Sequence, residues 1–227
     1  MEYSTPGKTA ASRYAQLESN RSSYYDDAKD CSKLTIPTLI PETATGTRAN
    51  TKTPFQAVGA RGVNSLASKL LFALLPPSTA FFKLSIDSLE LLKQGQEGLE
   101  TEIDKGLRTI ESALMNEIEI SNDRVAMFEA LKHLIVGGNT LYLTDNGLKV
   151  YPLSKFVCKR DAVGNVLEII TKESVHPQAL PAEFIEQIRQ KENYDAEEMD
   201  SDLDIYTYVK RVDDNHFWYQ ECKGEKI

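Results

Sequence analysis

The residues with the means to do chemistry in this chain are few, and their spacings argue against most reactions. Gly7-Lys8-Thr9 imitates the end of a phosphate-binding loop, in which backbone amides and a lysine hold phosphate oxygens. It lacks the upstream glycine and the preceding strand that would aim those amides. His133, His176 and His216 stand in a helix, a loop and a strand, and no His-x-x-x-His or His-Glu-x-x-His pair sets two imidazoles on one face as zinc requires. There is no Gly-x-Ser-x-Gly elbow and no Gly-x-Gly-x-x-Gly after a strand. Catalytic, cofactor-binding and metal-ligating residues are therefore assigned to none, and an enzyme is not expected.

What remains are residues suited to contact. Gly59-Ala60-Arg61-Gly62 has the spacing of a Gly-x-x-Gly nucleic-acid clamp, but it lies inside a helical pattern, where small residues let another backbone approach closely. Lys159-Arg160, followed by Asp161, stands at the tip of a predicted hairpin and could meet a phosphate or an acidic neighbour, although such charges commonly serve solubility. Gly59, Arg61, Gly62, Lys159 and Arg160 are the candidate packing or subunit-interface residues. Tyr24-Tyr25 and Trp218-Tyr219 could stack on bases. A net charge of −8 makes packing the better reading of both pairs, because phosphate neutralisation needs basic patches.

The elements that must position these residues begin with Pro54 to Pro77. Roughly 20 helical residues rise about 30 Å, the thickness of a bilayer core. Gln56, Arg61, Asn64 and Lys69 would each be costly in hydrocarbon, so a protein-packed helix is expected. Thr53 is its predicted cap, Pro54 its first residue, and Pro76-Pro77 stop it after Leu75. Phe55, Val58, Gly62, Leu66, Leu70 and Ala73 form one apolar stripe. Upstream, Tyr14, Leu17, Arg21, Tyr24, Ala28 and Cys31 share one face of a single helix between Thr9 and Leu34, a thin stripe that predicts a surface or subunit-contact position. Cys31, Cys158 and Cys222 form no CxxC motif, and the absence of a leader points to a reducing, intracellular setting.

Alternation at Phe82, Leu84 and Ile86 predicts a strand. Leu99, Ile103, Leu107, Ile110, Leu114 and Ile118 then mark a long amphipathic helix, joined by the short turn Ser121-Asn122 to a second helix that runs from a cap at Asp123 to Gly137-Gly138. From Asn139 the period becomes two. Asn146-Gly147 turns one hairpin, a five-residue connection at 161–165 turns the next, and residues 141–173 read as one small antiparallel sheet. Pro181 opens a short helix, and seven of the thirteen residues Glu192–Asp204 are acidic, which predicts a solvated loop. A third hairpin spans Ile205–Cys222, and another strand begins after Lys223-Gly224. The fold class is α+β, a helical layer followed by antiparallel hairpins and incomplete at the C-terminus. The divisions are an N-terminal helix and surface loop (1–53), a helical portion (54–138) and a β-rich portion (139–227) carrying the acidic loop 192–204.

The order and spacing of PFQAVGARGVNSLASKLLFALLPP, FEALKHLIVGGNTLYL and YPLSKFVCKRDAVGNVLEIITKE resemble the portal, or head-to-tail connector, of short-tailed double-stranded DNA bacteriophages. The likeness runs from about Tyr14 to about Pro181 and weakens through the acidic run. It implies a structural subunit, located in the virion at one capsid vertex and assembled in the host cytoplasm. About twelve copies would form a ring through which DNA is packaged and ejected. It implies as partners a separate terminase motor, capsid and scaffolding proteins, a tail adaptor and the passing DNA, with no membrane and no cofactor. This chain would be the N-terminal part of the wing, without stem, clip and crown. An acidic ring would let a polyanion slide where a basic one would hold it. The alternative is a monomeric α+β module that binds a protein partner through its hairpins.

Overall fold

The computed structural model describes residues 9–41, 54–77, 79–85, 100–145, 147–181, 184–186, 202–213 and 215–226. It forms two compact units, one comprising Met1–Cys31 with Tyr151–Ile227 and the other Ser32–Val150.

In the first unit, helix α1 (Ala10–Asn20) starts at Thr9, whose hydroxyl accepts the Ser12 N–H at 3.2 Å. Thr9 is therefore a helix cap, and Gly7 and Lys8 lie outside the described residues. The helix closes at Arg21, and α2 (Ser22–Leu34) follows. The single helix expected over this stretch is thus two. Arg21 leaves helical geometry at φ −102°, ψ 9°, and its guanidinium lies over the rings of Tyr25 and Phe156 at 5.5 and 5.8 Å. That break ends the common stripe: Tyr14, Leu17 and Ala28 are buried, whereas Tyr24 and Cys31 are exposed. The prediction of a surface position for α1 is corrected with it, because α1 forms part of a core.

That core is built on a five-stranded antiparallel sheet in chain order, β3 (Phe156–Arg160), β4 (Val166–Val175), β5 (Leu203–Val212), β6 (Asn215–Cys222) and β7 (Glu225–Lys226). Val157 pairs with Ile170 and Ile170 with Tyr208, so the three share a face. Tyr14 and Leu17 of α1 cluster with Val157 and Ile170 there, flanked by Tyr206 and Tyr208. Burying a side chain such as Ile170 contributes about 1.5–3 kcal/mol. On the other face, toward one end, Phe184, Leu203, Ile205 and Cys222 form a second cluster. The helix expected after Pro181 is seen at Phe184, whose N–H bonds the Pro181 carbonyl at 3.1 Å. Residues 192–201 of the acidic run lie outside the described residues.

In the second unit, α3 (Val58–Leu74) packs against α5 (Asp123–Val136). It starts four residues after Pro54, behind Ala57, which makes no side-chain capping bond; Thr53 lies outside the described residues. Its end matches the two prolines, with Leu75 as the last capping residue. Arg124 donates to the Leu75 and Pro76 carbonyls at 2.6 and 3.1 Å and so satisfies oxygens that the prolines leave without helical donors.

Helix α4 (Glu100–Ile120) meets α5 through Ser121-Asn122, as the short turn predicts. Asp123 is the first residue of α5 and not its cap; its carboxylate accepts the Leu148 N–H at 2.8 Å and the Ser121 hydroxyl at 2.8 Å. Gly137 caps α5, and Gly138 follows at φ +112°, a left-handed geometry that favours glycine. Strands β1 (Asn139–Thr144) and β2 (Gly147–Pro152) then form a separate two-stranded hairpin. The single sheet expected over 141–173 is therefore two, divided by the 3₁₀ turn Leu153–Lys155. The strand expected at Phe82–Ile86 is absent over 81–85. There the Leu84 N–H bonds the Glu111 side chain at 2.6 Å instead of a neighbouring strand.

Candidate assembly interface

An α-helix turns about 100° per residue, which gives α3 two opposed apolar faces. Val63 and Ala67 are buried on one. On the other, Val58, Arg61, Gly62, Leu66, Lys69 and Phe72 are all exposed. The small residues divide the same way. A Cβ at Gly59 would be driven into the Leu34 carbonyl oxygen, so a second segment of backbone already uses that space. A Cβ at Gly62 would meet nothing within 4 Å. Gly59 is thus a close contact within the chain, whereas Gly62 and Arg61 stand on its open side.

Helix α4 is more exposed still. Ile103, Leu107 and Ile118 are half-buried, Ile110 and Leu114 are exposed, and no described residue of this 21-residue helix is buried. Exposed Val125, Leu134, Leu141 and Leu143 extend the apolar surface of the unit. Rows of large apolar side chains exposed along regular helices are candidates for protein contact.

Lys159 and Arg160 lie at the end of β3 and are exposed. Arg160 donates to the Gly164 carbonyl at 2.8 Å, within its own hairpin. The Asp161 carboxylate accepts the N–H groups of Val163 and Asn165 at 2.9 and 2.8 Å and the Asn165 amide at 2.9 Å. Those bonds, the Asn165 side chain foremost, hold it below the usual carboxylate range. Lys159 pairs in register with Glu168.

Glu168 is a residue that sequence reasoning missed. Though buried, it forms an ion pair with Arg13 of α1 and accepts the Tyr208 hydroxyl at 2.6 Å. Burial alone would raise its carboxyl; hydrogen bonds from Arg13 and Tyr208 and the charges of Arg13 and Lys159 outweigh it, and the pKa falls below the ordinary value. A second buried carboxylate, Glu221, accepts the Ala10 N–H at 2.8 Å at the start of the same helix. The available signal was an acid at an inward position of a strand, Leu167-Glu168-Ile169-Ile170, which requires a partner when buried.

The histidines are structural or exposed. His133 is buried on α5, 3.8 Å from Glu129, and burial pushes its imidazole below the ordinary value. His176 accepts the Gln178 N–H at the start of a 3₁₀ turn, and His216 is exposed on β6. Of the aromatic pairs, Tyr219 sets its ring edge-on to Tyr208 at 5.3 Å, while Trp218 and Tyr24 are exposed. Among the described residues no three His, Cys, Asp or Glu side chains gather to hold a metal ion. No described helix is long and apolar enough to cross a membrane.

One unit thus commits two buried carboxylates to holding a helix on its sheet, and the other carries regular helices with large apolar side chains exposed. The chain belongs to the bacteriophage head to tail connecting protein family, whose pattern it matches over residues 7–224. It is 37% identical over 229 residues to the portal protein of Escherichia phage T7, covering 96% of this chain and 42% of that protein. To the portal protein of Enterobacteria phage T3 it is 38% identical over 228 residues, again 96% and 42%. The portal protein of Enterobacteria phage SP6 is 30% identical over 181 residues, 75% of this chain and 33% of that protein. The chain thus spans about two fifths of the length of the T7 and T3 relatives.

Proposed function

We propose that this chain is the N-terminal wing part of a non-enzymatic portal subunit, with residues 54–138 as its helical portion and 139–227 as its β-rich portion. The observation that carries the reading is the match of 96% of the chain to phage portal proteins. The open faces of α3 and α4 support it, since a subunit needs surface that only assembly covers. In this reading identical copies form a ring of about twelve at one capsid vertex. Double-stranded DNA enters and leaves through the hole, driven on entry by a separate terminase motor. The ring meets capsid and scaffolding proteins on the head side and a tail adaptor below. The −8 charge suits a conduit that must not hold a polyanion. Gly62 and Arg61 are assigned to a subunit interface, and Lys159-Arg160 to the side of a neighbouring acidic surface.

Negative-stain electron microscopy of the natural full-length product tests the reading. Rings with a central hole are expected, whereas a homogeneous monomer would overturn it in favour of a binding module. In the ring-forming protein, Gly62→Leu should overpack a close subunit contact by about 1–3 kcal/mol and reduce assembly; unchanged assembly would remove Gly62 from the interface.

A further inference from the structure

We propose that the open face of α3 on one copy receives the apolar stripe of α4 from the next copy, a head-to-tail contact between two unlike surfaces. The proposal rests on the reading of the chain as a ring subunit and specifies which surfaces close the ring.

Two features of the helices fit this pairing. With 17 and 21 residues, α3 and α4 are about 25 and 30 Å long at 1.5 Å per residue, so one can lie along the other. Gly62 interrupts the exposed α3 face with a flat spot, which lets a partner helix approach closely.

Charge selects the partner. Helix α3 contains Arg61 and Lys69 and no acid, and both cations lie within its open face. On α4 the helical repeat places Asp104, Glu111 and Glu117 along the borders of the apolar stripe, with Arg108 next to Asp104 and Glu111 on the outer side of that border and Lys105 on the far side. A symmetric pairing of α3 with α3 would set cation against cation, and one of α4 with α4 would set acid against acid. Both are disfavoured at close range. An α3–α4 pairing is the arrangement of these faces that brings opposite charges together. Such a heterologous contact closes into a ring when its rotation divides a full turn.

The test uses the natural full-length protein, with ring population read by native mass spectrometry and negative stain and folding by circular dichroism and Tm. Arg61→Glu with Lys69→Glu, and separately Asp104→Lys with Glu117→Lys, should each weaken association by about tenfold or more while the fold is retained. Combining all four should restore rings. Glu111 is left intact because it already accepts the Leu84 N–H. Should a charge variant fail to fold, Leu66→Cys with Leu114→Cys gives a milder reading: under a mild oxidant a covalent ladder of subunits is expected, absent from either single variant. Rings that tolerate each charge reversal, a fourfold variant as poor as its parents with the fold intact, or no ladder would overturn this contact while leaving the ring. A wild-type protein that forms no rings would overturn the proposal and the underlying reading together.

Discussion

The two compact units handle the same chemistry in opposite ways. The unit built on the five-stranded sheet encloses two of its carboxylates: Glu168 and Glu221 are buried, each with a donor from α1. The helical unit does the reverse and leaves Val58, Leu66, Phe72, Ile110 and Leu114 exposed on regular helices. The difference teaches that one unit is stabilised mainly by its own contacts, whereas the other keeps apolar faces that the described residues do not cover.

The largest effect should come from breaking the enclosed side. Ile170 is fully buried among Val157, Tyr14 and Leu17, so Ile170→Ala should cost about 2–5 kcal/mol in thermal or denaturant unfolding. Leu66→Ala, on the open face of α3, should change the stability of the unassembled chain by less than about 0.5 kcal/mol. Equal losses at the two positions would erase the contrast between the units.

Next in size is Glu168→Gln, which replaces the carboxylate that pairs with Arg13 and accepts from Tyr208. A hydrogen-bonded charge of this kind is worth about 1.5–3 kcal/mol, measurable by denaturant unfolding at neutral pH. The acid response should separate the units further. Burial lowers the His133 pKa from its ordinary 6.5, so on acidification the unfolded state takes up the proton first. Its contribution in the helical unit is present above that pH and is lost below it. The Glu168 pKa is lowered from 4.5, so its contribution to the sheet unit is present above 4.5 and is lost as pH falls through the folded value. Hydrogen exchange read unit by unit down a pH series should therefore show the helices around His133 loosening before α1 leaves the sheet. The reverse order would invert the comparison.

Local signals made much of this fold legible in advance. The turn residues Asp161 to Asn165, the stops at Pro76 and Gly137, and the amphipathic run Ile103 to Ile118 each carry their own geometry. Less legible were features that depend on distant partners. Nothing within residues 9–34 states that Arg21 will leave the helix to lie over Phe156, more than a hundred positions away. Nor does a five-residue apolar alternation at 82–86 reveal that the Leu84 N–H will bond a helix side chain instead of a strand. The candidate contact residues followed the same rule: small residues in a helix indicate close packing, but whether Gly59 or Gly62 meets the chain's own backbone depends on where residue 34 lies.

That last pair gives the finest test of the comparison, since one methyl group is added at two positions three residues apart on α3. At Gly59 the added carbon would collide with the Leu34 carbonyl and crowd the Thr35 Cα at 3.1 Å, both rigid backbone atoms. Gly59→Ala should therefore cost about 1–3 kcal/mol despite its better helix propensity. At Gly62 the added carbon meets nothing within 4 Å, so propensity alone acts, and Gly62→Ala should stabilise the unassembled chain by about 0.5–1 kcal/mol. The assembled protein should respond differently: a methyl group on the face that meets another subunit removes the flat spot, so the gain measured in the monomer should shrink or reverse in the ring. Equal stabilisation in both states would place Gly62 in solvent even after assembly and confine close packing of α3 to its Gly59 side.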